Sequence, residues 1–206
     1  MRTTRALGAL SLGLALAVGL TACGDDSGDS SAQVSATEHN AADVAFAGDM
    51  IQHHAQALAM VDLTMDRPLD PEVEALTEDI RAAQAPEIET LAGWLTDWDE
   101  QIPETIRDHV NAGHGAGDLS DSMEDVDHGD MPGMMSPEDV DALENASDTE
   151  FQEMWLEMMI EHHEGAIEMA KAEQEDGRYK PAVDLAGDIV DSQSQEVATM
   201  QDLLSS

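Results

Sequence analysis

Cysteine is almost absent: the 206-residue chain has one, Cys23, so no disulfide can close within it. Basic side chains are scarce too. Eight Lys and Arg stand against 45 Asp and Glu, a formal net charge of −37. That balance excludes a protein that grips a phosphate backbone, and with it nucleic-acid partners. Such a surface stays soluble and draws cations without selecting among them; a solvated, salt-adapted acidic face is the plainer account of the same charge. Aromatic residues number three Trp, one Tyr and two Phe, and no strand-forming runs are present. The chain is instead rich in Ala, Leu and Met, with 13 of the last, which favours helices.

The N-terminus is the exception to the acidic rule. Met1 to Arg5 is basic, and Ala6 to Leu20 is an apolar run shorter than the roughly 20 residues that span a bilayer. Residues 1–22 read as a signal peptide. Leu20-Thr21-Ala22-Cys23 resembles the bacterial lipoprotein cleavage box, which implies a lipidated Cys23 and an anchor on the extracytoplasmic face of the cell membrane; the alternative is an ordinary signal peptide with an incidental Cys. Residues 23–39 are Ser- and Asp-rich and without period, as a flexible tether is.

The remainder, residues 40–206, contains an internal repeat. Met50, Ile51, His53, His54, Ala57 and Met60 recur 109 residues later as Met159, Ile160, His162, His163, Ala166 and Met169. The same offset carries Leu76, Ile80, Gln84 and Glu87 onto Leu185, Ile189, Gln193 and Glu196. A shared offset for both motifs means that a two-helix unit is duplicated whole.

Helix signals agree. Asn40 caps a first helix that ends before Pro68, and Asp70 with Pro71 starts a second that runs to about Trp98, with Pro86 requiring either a kink or a different boundary. Ser147 and Glu150 form a capping-box pattern for a third helix closing at Gly177, and a fourth begins near Pro181. Repeat one is thus 40–98 and repeat two 147–206. Between them, 99–146 is a connection rich in Gly, Asp, His and Met, with one short helix capped by Ser136. Hairpin, long crossover, hairpin is the connectivity of an all-α, ferritin-like four-helix bundle.

On a wheel of about 100° per residue, Phe46, Met50, His53, His54, Ala57 and Val61 share one face, so both histidines of the pair point inward. His53/His54, Gln84/Glu87, His162/His163 and Gln193/Glu196 each lie near mid-helix, and four similar helices side by side bring them to one layer. Buried unpaired, each polar group costs roughly 2–7 kcal/mol, so they bond one another, bind an ion or surround water. Two readings follow: a His–Glu–Gln network that fixes register without metal, or a metal site in which His53, His54, His162 and His163 are ligands while Glu87, Glu196, Gln84 and Gln193 orient the rings.

Imidazole suits copper, zinc, iron and nickel, and thioether selects Cu(I). Met50, Met60, Met159 and Met169 lie on or beside the histidine face, where core filling is the ordinary alternative. Met131, Met134 and Met135 gather with His128 in a connection that offers no core to fill, an expected auxiliary site. A Met/His set without thiols points to copper, with another transition metal as the alternative. A di-iron oxidase centre is disfavoured, because Met50 and Met159 occupy the positions that Glu takes in Glu-x-x-His. No nucleophile–base constellation is visible, so enzymatic activity is not expected, although a redox enzyme built on the same layer is a third reading.

The pair Asp49-Met-Ile-x-His-His-x-Gln-Ala57 and Met159-Ile-x-His-His-x-Gly-Ala-Ile-x-Met-Ala170, each followed by Gln-x-x-Glu, resembles the secreted CopM-like family, also described as domain of unknown function 305. Met131-Pro-Gly-Met-Met-Ser136 is similar to its linker. The resemblance covers about Asn40 to Leu204. It implies a ferritin-like bundle and, for some members, copper binding and copper tolerance outside the cytoplasm. Asp49 is replaced by Met158 in the second repeat, so no ligand role passes to it.

Overall fold

A computed structural model describes residues 34–111, 119–123 and 131–206. The expected signal peptide, Cys23 and His128 lie outside the described residues. The described residues hold four long helices, α1 (Ala41–Asp62), α2 (Pro71–Asp97), α6 (Asp148–Asp176) and α7 (Lys180–Ser205). Three short helices fill the connection: α3 (Ile106–Asn111), α4 (Leu119–Met123) and α5 (Pro137–Glu144). Only α5 was expected there. Among the described residues there is no strand, only an isolated bridge between Ser35 and Tyr179, and no helix long and apolar enough to cross a membrane.

The helix starts show which local signals govern. Asn40 accepts from the N–H groups of Ala42 and Asp43, and the Asp43 carboxylate accepts from the Asn40 N–H, a closed capping box. Ser136 and Asp139 do the same for α5. Ser147 does not: its hydroxyl donates to Glu150 at 2.5 Å, so the expected box is replaced by a side-chain pair. Pro86 leaves α2 continuous. It lies on an exposed face, as does Ala82, whose carbonyl loses its helical partner there, so water can take the place of the missing N–H.

The α1–α2 and α6–α7 pairs form two hairpins, and α1 packs on α6 at the centre. Asn40 before α1 donates to the Asp176 carbonyl at the end of α6, and Arg67 after α1 reaches Asp148 at the start of α6. The two central helices are therefore antiparallel. The apolar core divides accordingly into two halves. One contains Met60, Val73, Leu76, Ile80, Phe151, Trp155, Met159 and Met200; the other contains Phe46, Met50, Leu91, Leu95, Ala166, Ala170, Ala186 and Ile189. On every long helix the break between the halves falls at the repeated polar motif, which places those motifs in one layer across the bundle.

Residues 35–39, expected to belong to a flexible tether, are fixed by contacts. Ser35 donates to the Arg178 carbonyl and accepts from the Lys180 N–H, each at 2.7 Å, while Glu38 pairs with Arg178 and His39 stacks on Trp98 at 4.4 Å. Residues 35–39 are thus held against the α6–α7 turn. Composition alone does not register contacts made so far along the chain.

Candidate metal centre

His53, His54, His162 and His163 are fully buried, with no exposed area on any of them. The His53 and His162 rings lie 3.9 Å apart, centroid to centroid, where α1 meets α6, and His162 and His163 are 6.4 Å apart. Three of the four rings are fixed through Nε2. His54 Nε2 bonds Glu87 at 2.6 Å, His163 Nε2 bonds Glu196 at 2.8 Å, and His53 Nε2 bonds the Pro132 carbonyl at 3.0 Å. An Nε2–H that donates leaves Nδ1 with its lone pair, and the Nδ1 of each of these rings is buried without a partner. Carboxylate or carbonyl on one ring nitrogen, lone pair on the other, is how a metal-binding imidazole is normally oriented. In His162 neither nitrogen has a partner.

Charge on His53 and His162 is disfavoured. Burial drives the His53 pKa down to about 3; the Pro132 carbonyl opposes this, and His54 and His163 add to it. His162 is pushed well below the ordinary value by burial first, then by His53, His163 and His54. Both rings are neutral at physiological pH, the state in which imidazole is a ligand.

The other expected residues divide by place. Met50 and Met159 are fully buried and precede their histidine pairs by one helical turn, on opposite sides of the layer. Met60 and Met169 lie about 10 Å of helical rise beyond His53 and His162, each packed with an apolar half. Gln84 and Gln193 are buried with both ends of their carboxamides unpartnered, and it is Glu87 and Glu196, not the glutamines, that bond imidazoles. In the connection, Met135 is buried in the core, contrary to the expectation that this segment has no core to fill, while Met131 and Met134 are half-buried.

The docking of residues 131–135 is what the sequence did not disclose. Gln56, fully buried, donates to the Met135 carbonyl at 3.0 Å and accepts from the Met135 N–H at 2.9 Å. Gly133 takes φ +72° and lies against α6: a Cβ there would come within 2.5 Å of the Glu161 carbonyl and 2.9 Å of Gly165 Cα. A Cβ on Gly165 would fall on the Pro132 carbonyl and 2.7 Å from Gly133 Cα. Backbone thus meets backbone, and the Pro132 carbonyl is delivered to His53. Gln56 and Gly165 occupy equivalent places in the two repeats, 109 residues apart. The two motifs differ at other positions too, among them Gln52/Glu161 and Ala55/Glu164, so this mismatch was a weak signal.

Among the described residues, no three His, Cys, Asp or Glu side chains form a group that could hold a metal ion. What is assembled is a set of unpartnered imidazole nitrogens with two buried thioethers one helical turn away, which fits a soft or borderline transition metal better than Mg²⁺ or Ca²⁺.

The profile of a family described as "Domain of unknown function (DUF305)" matches residues 43–204. A secreted DUF305 protein from Streptomyces coelicolor is 31% identical over 80% of this chain and 92% of its own, with a TM-score of 0.64. A DUF305 fragment from Deinococcus radiodurans is 26% identical, covering 81% and 97%, with a TM-score of 0.65. CopM in the Cu(I)-bound form is 24% identical, covering 79% and 95%, with a TM-score of 0.59, a likeness of fold. No curated protein sequence matches the chain.

Proposed function

This chain belongs to the DUF305 family, and from that premise we propose that it is an extracytoplasmic, lipid-anchored protein that binds copper at the histidine layer, buffering it or passing it on. The observation that carries the proposal is the state of the layer. Five imidazole nitrogens and both ends of two carboxamides are buried without partners. Left so, each costs about 1–3 kcal/mol, whereas a register-fixing network would pair them. His54, His163 and His53 offer Nδ1, His162 offers either nitrogen, and Met50 and Met159 are the thioethers nearest in helical register. Because three His, Asp or Glu side chains do not already converge among the described residues, a bound ion draws on a thioether or on a small turn of the His162 ring, the least restrained of the four. Glu87 and Glu196 hold their rings and balance the charge of the cation. When bound, copper supplies Lewis acidity and a redox couple; the surrounding residues exclude water and fix the rings.

CopM, whose structures include Cu(I)-, Cu(II)- and Ag-bound forms, shares the fold, which supports copper over other transition metals. A secreted relative and the basic, apolar N-terminus ending at Cys23 support a place outside the cytoplasm. The auxiliary role proposed for Met131, Met134 and His128 is a second, weaker capture of the same ion.

The test is Cu(I) titration against a competing chelator, in the unmodified protein and in a variant with His53, His54, His162 and His163 changed to Ala, with helix content checked by circular dichroism. Binding that disappears in a folded variant supports the layer. Equal binding by both assigns copper to the acidic surface or the connection.

A further inference from the structure

The histidine layer is closed on the side where residues 131–135 cross it, so an ion has to arrive by another route. Glu196 marks one. Its carboxylate bonds His163 Nε2 at 2.8 Å, yet its side chain keeps 16% of its exposure, whereas the ring has none. On its outer side Glu196 lines a cleft of about 350 Å³ between α2 and α7, together with Glu72, Ala75, Asp79 and Thr199. Gln195 and the buried Leu76 complete the wall. One carboxylate therefore touches both the solvent-open cleft and the buried ring. Behind it, on the same helix, Gln193 is buried with its amide unpartnered, and His163 Nδ1 is also unpartnered.

The repeat provides an internal comparison. At the places related by 109 residues, Pro181 stands for Glu72 and Pro86 for Gln195, and Asp184, which stands for Ala75, is held by Lys180 at 2.6 Å. Asp188 matches Asp79, and Glu87, 17% exposed and bonded to His54, matches Glu196. The cleft therefore carries two acids at its mouth, Glu72 and Asp79, where the related position keeps only Asp188 apart from the Asp184 that Lys180 holds. Clefts lined by one sign of charge concentrate the opposite ion and raise association rates.

We propose that the α2–α7 cleft is the route by which a cation reaches and leaves the histidine layer, with Glu72 and Asp79 collecting it at the mouth and Glu196 passing it to His163. This rests on the layer being the metal site. The cleft governs rates, and the buried ligands govern affinity. Filling the route changes uptake and release by the same factor, because a barrier common to both directions leaves the equilibrium untouched.

The experiment is stopped-flow measurement of Cu(I) uptake and of its release to a chelator, with equilibrium affinity measured on the same samples. Ala75→Trp, at an exposed helical position, should slow both rates by about tenfold and hold affinity within about twofold. Glu72→Gln with Asp79→Asn should slow uptake by about three- to tenfold at low ionic strength, the scale of electrostatic steering, and reduce its salt dependence. Asp184→Asn with Asp188→Asn, which removes the same charge at the related site, should leave uptake near the unmodified rate. Unchanged rates in Ala75→Trp, or equal slowing by both charge pairs, would overturn the inference while leaving the metal site standing. Failure of the unmodified protein to bind Cu(I) overturns the site and the route together.

Discussion

Gly165→Ala perturbs the point where the connection meets the bundle. The added methyl lands on the Pro132 carbonyl and 2.7 Å from Gly133 Cα, and both are backbone, so no side chain can swing aside. Overpacking of this kind costs about 1–3 kcal/mol. If the segment lifts, the His53–Pro132 bond and the two Gln56–Met135 bonds go with it, at about 1 kcal/mol each. Against this, Ala in a helix is favoured over Gly by about 1 kcal/mol. The net expectation is destabilisation of about 1–4 kcal/mol, a large part of the 5–15 kcal/mol typical of a domain. Gly48 in α1 and Gly93 in α2 are the controls, because a Cβ on either meets nothing within 4 Å. Gly48→Ala and Gly93→Ala should be neutral or stabilising by up to about 1 kcal/mol. Urea unfolding followed by circular dichroism reads all three, and limited proteolysis within 99–146 reports whether the segment has come away. A Gly165→Ala protein as stable as Gly48→Ala, with the connection equally resistant, would refute the packing described here.

Three further outcomes are expected. Glu173, 2% exposed, has its pKa raised from 4.5 to about 9, first by burial, then by the neighbouring Asp43 carboxylate and the charge of Asp176. It binds its proton more tightly folded than unfolded, so its contribution is complete below about pH 4.5 and is lost as pH rises through about 9. Glu173→Gln should flatten the stability profile between those limits and raise stability at pH 8 by about 1–3 kcal/mol, as measured by urea midpoints across pH. Glu87→Gln and Glu196→Gln keep the shape of the residue but weaken its hold on His54 and His163. Each should reduce Cu(I) affinity about 10- to 100-fold, the usual cost of losing a group that orients a ligand, as read by chelator competition. Gln56→Ala removes a two-bond clasp on Met135 and should destabilise the protein by about 1–3 kcal/mol, with protease cleavage appearing first in the connection.

The repeat made much of this molecule legible in the sequence. A single offset across both motifs requires two like hairpins, and the mid-helix position of His53/His54 and its three counterparts requires a shared layer; both follow from helical geometry alone. Asn40 and Ser136 were readable because capping is local. What was not readable depends on pairs distant in sequence. The Pro132 carbonyl bonds His53 from 79 residues away, and nothing in Met131-Pro-Gly-Met-Met135 says which face it will meet. Ser147 failed as a cap because Glu150 competes for its hydroxyl at 2.5 Å. Gln84 and Gln193 looked equivalent to Glu87 and Glu196 on the wheel, yet only the glutamates bond imidazoles; the side chains are equally long, so what differs is their height along the helix, which a wheel does not contain.

The most direct test of the central claim is the anomalous difference map of crystals grown with Cu(I), collected above and below the copper edge. The account predicts a peak inside the bundle within bonding distance of imidazole Nδ1 atoms from both histidine pairs, with Glu87 and Glu196 still on Nε2 of His54 and His163. A peak confined to the acidic surface or to residues 131–135, with the four rings unmoved and unbound, would contradict it and leave the layer as a structural polar network.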